Sequence, residues 1–137
     1  MLLLLAAVLQ IAARAALAVA SLSRVISVAT RLSGMIRRRR VDAVTLQWAL
    51  GATSLRTGGT CLTQALAARV IMGSTQSTPT LVIGVRRPMN PALSADCTPR
   101  QVPSTRLPEF HAWANVDGVC VPRASDPSTF VPLMVWN

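Results

Sequence analysis

The sequence predicts an α+β fold in which helices come first and a small antiparallel sheet follows. Through the first half of the chain, apolar residues recur at three- and four-residue spacing, which indicates helices. In the second half, short apolar runs rich in β-branched residues and bounded by proline replace that spacing. Asp117-Gly118 lies between two of these runs and is a strong hairpin signal. Helices followed by strands exclude the alternating order of a parallel βαβ sheet.

The first 40 residues are predicted to form an apolar helical segment. Residues 2–36 have loose helical periodicity, and the segment ends in the arginine run 37–40. A break or bend is expected around Ser21, Ser23 and Ser27, with a second weak point at Ser33-Gly34. Its uncharged stretch, residues 1–13, is shorter than the roughly 20 residues of a spanning helix, and Arg14 interrupts any wider window. A signal peptide would have basic residues before its apolar stretch, whereas the first charged side chain here is Arg14. We therefore expect this segment to pack inside the protein or against a partner.

Residues 41–137 are predicted to form the second unit, a folded domain. Its helices are expected over residues 42–55, with Asp42 as N-cap, and from Thr60 or Cys61 to Met72. Strands are predicted over residues 81–85, 110–116, 119–121 and 130–136, with a proline-rich loop over 88–108. Pro132 predicts that the last strand lies at a sheet edge.

Composition limits the partners and the compartment. The chain of 137 residues is 51% hydrophobic, and its fourteen basic residues are all arginine, against five acidic residues, for a net charge of +9. Only 4% of residues are aromatic, which does not suit a nucleic-acid binder, so the charge is expected to serve a peptide or protein partner. Three widely spaced cysteines do not favour a zinc site or a disulfide framework, and we expect no metal and no cofactor.

Cys61 and His111 form the strongest chemical candidate. Cys61 directly follows a Gly-Gly break at a predicted helix start, where unpaired N–H groups and the helix dipole stabilise a thiolate and a developing oxyanion. His111, the chain's one histidine, lies at the start of a predicted strand and would exchange protons with the thiol and the leaving amine. The alternative is structural: a core cysteine and a hydrogen-bonded histidine.

Three segments resemble the leader-peptidase B proteins of bacterial lasso-peptide biosynthesis. They are TCLTQALA from Thr60, LVIGVR from Leu81, and FHAW from Phe110 followed by Asp117-Gly118. The resemblance implies a transglutaminase-like, papain-related cysteine protease core in the bacterial cytoplasm. It also implies that Cys61 is the nucleophile and that His111 is the general base and acid.

The resemblance further implies a pathway. The B protein removes the leader from a lasso precursor peptide, and an asparagine-synthetase-like cyclase then closes the macrolactam. This chain has no room for a leader-binding domain, so a separate leader-recognition protein is implied. An acyl transferase of transglutaminase type and a non-catalytic scaffold subunit stay open as alternatives. Membrane attachment through the first helix is a further alternative, which the sequence does not favour.

The third catalytic residue is left open between several candidates. The family's aspartate follows the histidine on the neighbouring strand, where this chain has Pro122-Arg123. We favour Asp126. If the strand continues past Pro122, Asp126 has the same parity as His111, which means that the two side chains lie on the same face of the sheet. Asn115 has the same parity but lies about 13 Å along the strand, and Asp117 is expected in the turn; a Cys–His dyad is the other alternative.

The three tryptophans, Trp48, Trp113 and Trp136, are expected in the core. Trp113 lies two residues after His111 on the same strand face, so we expect it to shield the ion pair of Cys61 and His111.

Overall fold

A computed structural model describes residues 1–35, 41–73, 79–86, 108–116, 118–122 and 129–137. Within these ranges four helices precede four strands, which confirms the predicted α+β order. The helices are α1 (Leu2–Val19), α2 (Leu22–Met35), α3 (Ala43–Thr57) and α4 (Cys61–Met72), and the strands are β1 (Thr80–Arg86), β2 (Phe110–Val116), β3 (Val119–Val121) and β4 (Phe130–Trp136). The arginine run 37–40 and the predicted loop 88–108, apart from Pro108, lie outside the described residues.

The helix boundaries follow from capping residues. The helical N-terminal segment divides at Ala20, whose backbone is extended (φ −132°, ψ 155°), next to Ser21. The expected breaks at Ser23, Ser27 and Ser33-Gly34 are wrong, because α2 is continuous through all of them. Asp42 is the N-cap of α3, as predicted, and its carboxylate accepts a hydrogen bond from the Thr45 N–H at 2.8 Å. Interactions with the Thr45 side chain and, second, with the Thr45 N–H lower the pKa of Asp42. The C-cap of α3 is Gly58, whose left-handed backbone (φ 63°) suits glycine.

The sheet is antiparallel, with strand order β3-β2-β1-β4. Val116 pairs with Val119, so the predicted two-residue turn between β2 and β3 is confirmed, and Gly118 adopts a positive φ of 82°. β4 lies at the edge, as Pro132 predicted, and Pro132 pairs with Gly84 next to a register irregularity.

Helix α4 lies at the centre of the core. Its residues from Ala65 to Met72 are all buried, and it packs against α1 and α2 and against the Ala112 and Ala114 face of β2. Ala6 of α1 and Val25 of α2 belong to the same core cluster. The N-terminal helices therefore share a core with α4, while the division of the chain at residue 40 stays a prediction.

Two sequence expectations about apolar residues have different outcomes. Trp113 is buried and Trp136 packs against the core, but the expectation for Trp48 is wrong, because 65% of its surface is exposed. Trp48 lies on the outer face of α3, since the core-facing positions of that helix are Leu46, Ala49 and Leu50.

In the described residues, α1 is long and apolar enough to cross a membrane, by length and composition alone.

Candidate functional site

Cys61 is the first residue of α4. Thr60 is the N-cap: its hydroxyl accepts a bond from the Thr63 N–H at 3.4 Å, and its carbonyl accepts one from the Gln64 N–H at 3.0 Å. The helix start predicted at Thr60 or Cys61 is confirmed. The Cys61 side chain is half-buried against the core, and its main-chain N–H belongs to the first turn, where no intrahelical acceptor exists.

Two polar side chains of α1, Gln10 and Arg14, contact α3 and the Gly58-Gly59 turn that precedes Cys61. The Gln10 amide is buried; it donates to the Leu50 carbonyl at 3.0 Å and to a threonine hydroxyl of α3 at 2.8 Å. Arg14 donates to the carbonyls of Thr57 at 3.2 Å and Gly58 at 3.4 Å. Carbonyls at a helix C-terminus lack intrahelical donors, so these bonds connect α1 to the turn that leads into Cys61. No pattern in the sequence predicts that Gln10 and Arg14 connect α1 to α3.

His111 lies near the start of β2 in an aromatic cluster. Its ring centroid is 6.0 Å from that of Trp113 and 5.3 Å from that of Phe130, and its Nε2 is buried with no hydrogen-bond partner among the described residues. Gly84 pairs with His111 across the sheet, and a Cβ at Gly84 would lie only 3.1 Å from the Trp113 ring. Trp113 therefore lies against the imidazole, while its shielding of a Cys61–His111 ion pair stays a prediction. No pattern in the sequence places Phe130 and Gly84 beside His111.

The electrostatic surroundings of His111 favour the neutral imidazole. Burial lowers the pKa of His111 from its ordinary value of 6.5, and the nearby Glu109 carboxylate raises it by a smaller amount. Glu109 also forms an ion pair with Arg86, whose guanidinium lies 2.8 Å away. A neutral imidazole at neutral pH is able to accept a proton, which is the property that a general base needs.

The neutral imidazole predicts a pH-dependent stability. Between the lowered pKa and 6.5, the unfolded chain binds the His111 proton more readily than the folded chain does. This contribution to the free energy of unfolding is fully present above pH 6.5 and is lost as the pH falls through the folded pKa. Urea midpoints measured across this window should fall further in the parent protein than in His111→Gln, which does not titrate. Identical pH profiles would contradict the assignment.

The structure does not join Cys61 and His111 by a hydrogen bond; both side chains are described. Ala112 and Ala114 of β2 face the core that contains α4. Because side chains alternate along a strand, His111 lies on the other face, with Trp113. Cys61 packs against the core cluster, whereas His111 belongs to the aromatic cluster. Their pairing therefore stays a prediction.

The remaining predicted site residues are placed as follows. Asp117 and Asp126 lie outside the described residues. Asn115 is exposed, and its side-chain oxygen accepts a bond from the Gly118 N–H at 3.1 Å, which stabilises the hairpin turn. Cys120 pairs with Asn115 on the neighbouring strand, and burial raises the pKa of its thiol. Cys97 is outside the described residues.

Comparison with known proteins identifies the family. The profile of the Transglutaminase-like superfamily matches residues 7–95, which is more than half of the chain. The chain belongs to the transglutaminase-like superfamily. Searches of curated proteins and of solved structures each returned no match.

Membership of this superfamily supports cysteine chemistry, because its members usually act through a catalytic cysteine. The matched region contains Cys61 together with α2, α3, α4 and β1, and it begins within α1. It ends before His111. The family match thus agrees with a nucleophile on α4, while the base rests on the sequence resemblance and on the properties of the imidazole.

Proposed function

We propose that this transglutaminase-like chain is a cysteine peptidase, that Cys61 is its nucleophile, and that it removes the leader peptide from a lasso-peptide precursor. The observation that carries the proposal is the position of Cys61 as the first residue of the central helix in a chain of this superfamily. The helix dipole and the free N–H groups of the first turn favour negative charge there. The leader as substrate rests on the resemblance of the segments around Cys61, Leu81 and His111.

The proposed reaction has two steps. Neutral His111 takes the proton of the Cys61 thiol. The resulting thiolate bonds to the carbonyl carbon of the scissile amide, and the main-chain N–H of Cys61 donates to the oxyanion. Protonated His111 gives its proton to the leaving nitrogen as the C–N bond breaks, leaving a thioester on Cys61. Neutral His111 then accepts a proton from water, whose oxygen attacks the thioester and releases the thiolate. Asp126 is proposed to orient the imidazole.

Substitution of Cys61 tests the nucleophile. Cys61→Ala and His111→Ala should each abolish leader removal, measured by mass spectrometry on the precursor together with its leader-recognition protein and cyclase. Cys120→Ala is the matched control and should keep activity, because Cys120 lies on β3 and not at a helix start. Full cleavage by Cys61→Ala would overturn the mechanism, and a loss of no more than a few-fold in Asp126→Ala would exclude its orienting role.

Thiol labelling tests the Cys61–His111 pairing without a substrate. With iodoacetamide near pH 7, Cys61 should react fastest of the three cysteines and should lose that advantage in His111→Ala. An unchanged labelling rate in His111→Ala would show that the imidazole does not act on this thiol.

The mass of the product separates the alternative functions. Water adds at the cut in hydrolysis, an amine stays attached in acyl transfer, and a non-catalytic scaffold leaves the precursor intact.

A further inference from the structure

Helix α1 has apolar side chains on two sides, one packed against the core and one exposed to solvent. Ala6, Leu5 and Leu9 lie on the core side, where Gln10 is the buried polar residue. Gln10 is buried against α3, and Arg14 donates to the carbonyls at the α3 C-terminus. Leu4, Val8 and Ile11, at positions i, i+4 and i+7, are instead each more than half exposed. A surface helix in water has a polar outer face opposite the apolar face that packs on the core, whereas these three positions make the outer face of α1 apolar as well.

The exposed face of α1 continues into an open groove between α1 and α2. The groove has a volume of about 150 Å³, and its walls include Ala12 and Ala16 of α1, Val28 and Leu32 of α2, and Ala67 of α4. Ala12 lies one turn after the exposed Val8, and Val28 and Leu32 are themselves exposed. The α1 face and the groove therefore form one continuous aliphatic surface, which we call the α1–α2 face.

Basic side chains border the α1–α2 face. Arg24 and Arg31 lie beside Val28 on α2, with Ser23 and Ser27, and in the described part of the chain neither guanidinium forms an ion pair. Residues 1–41 carry seven arginines and no acidic residue. An occupant of this face must therefore be apolar where it meets the helices and negatively charged along the Arg24–Arg31 border.

We propose that the α1–α2 face binds the surface of a bilayer that contains anionic phospholipid. Aliphatic side chains beside arginines are typical of interfacial helices, whose apolar face enters the headgroup boundary while the basic residues meet lipid phosphates. The face has no aromatic side chain among Leu4, Val8, Val28 and Leu32, whereas the centres of protein interfaces are enriched in aromatics. A second copy would bring arginines against arginines.

The same contacts indicate that α1 lies along the membrane and does not cross it. Leaving the core would break the bonds of Gln10 and Arg14 to α3 and would open the turn before Cys61. At 1.5 Å per residue, the 18 residues of α1 cover about 27 Å along the surface. The attachment is peripheral, and it is independent of the proposed cysteine chemistry.

Vesicle flotation tests this proposal with the full chain. The protein should float with vesicles of equal phosphatidylglycerol and phosphatidylcholine, and not with phosphatidylcholine alone, and high salt should release it. Arg24→Gln combined with Arg31→Gln should weaken binding roughly thirtyfold, since two basic residues leave the surface. Leu4→Ser combined with Val8→Ser should also weaken it. Cys61→Ala should bind like the parent protein.

Matched controls come from α3, outside the α1–α2 face. Arg56→Gln and Leu55→Ser, the latter at a side chain that is 89% exposed, should leave binding unchanged. Circular dichroism of each variant checks that the fold is retained. The proposal is overturned if no flotation occurs, as expected for an acidic protein partner, or if the control variants lose as much binding. Resistance to alkaline extraction would also overturn it, because that is the behaviour of a spanning helix.

Discussion

Replacement of Arg69 with leucine is expected to lower the free energy of unfolding by about 3 kcal/mol. Arg69 is almost fully buried, with 1% of its surface exposed, and it connects three elements to α4. Its guanidinium donates to the main-chain oxygens of Pro79 at 2.6 Å, Trp136 at 2.9 Å and Asn137 at 2.7 Å, and its Nε donates to Thr30 at 3.3 Å. Leucine would leave these oxygens without their donor.

The geometry of the guanidinium explains why lysine should not replace it. Burial lowers the pKa of Arg69, yet the delocalised guanidinium keeps its charge. Its planar set of N–H donors bonds both the Pro79 carbonyl, directly before β1, and the Trp136 carbonyl of β4. A lysine ammonium is more strongly hydrated and lacks this planar set of donors. Arg69→Lys should therefore retain less than half of the stability that Arg69→Leu loses.

Urea denaturation followed by circular dichroism measures this loss. Arg56→Leu is the matched control, because Arg56 is exposed in the last turn of α3, and its effect should stay within about 0.5 kcal/mol. If Arg69→Leu lost less than about 1 kcal/mol, the guanidinium would not be the connection between α4 and the sheet that we describe.

Replacement of Gly59 with alanine should destabilise the protein by about 2 kcal/mol. A Cβ at Gly59 would overlap the side-chain oxygen of Gln10 and would lie 3.2 Å from the Cβ of Ser54. Gln10 cannot move away without losing its bonds to the Leu50 carbonyl and to the threonine hydroxyls of α3. The strain would fall on the turn that leads into Cys61.

A double-mutant cycle identifies Gln10 as the cause. In a Gln10→Ala background the overlapping oxygen is absent, so Gly59→Ala should cost less than half of its effect in the parent protein. Gly51→Ala is the matched control: nothing lies within 4 Å of a Cβ at this α3 position, and alanine there should stabilise the helix by up to about 1 kcal/mol. Additive effects of Gln10→Ala and Gly59→Ala would contradict the contact.

Local signals explain why most elements could be predicted. The Asp42 N-cap, the Gly58-Gly59 break and the Asp117-Gly118 turn act through residues a few positions away, so their consequences can be derived from the sequence. Cys61 at a helix start follows from the same signals. The family resemblance then suggested the chemistry, and the superfamily match supports its coarse form.

Long-range contacts could not be predicted in this way. In the helical pattern, Gln10 is one polar residue in an apolar stretch and Arg69 is one more helical position, but their partners lie 40 and 67 residues away along the chain. Trp48 is one of several apolar residues in its helix, and nothing local shows that it lies on the outer face of α3.

The sequence by itself determined the order of helices and strands, the caps and turns between them, and the position of Cys61 at the start of α4, because these depend on propensities and hydrogen bonds within a few residues. Only the tertiary structure decided which side of each element is buried. It buried Gln10 against α3, left an aliphatic side of α1 exposed next to the groove that Arg24 and Arg31 border, and placed His111 among Trp113 and Phe130. These outcomes depend on which distant segments pack together, since burial of a side chain is a property of the whole core.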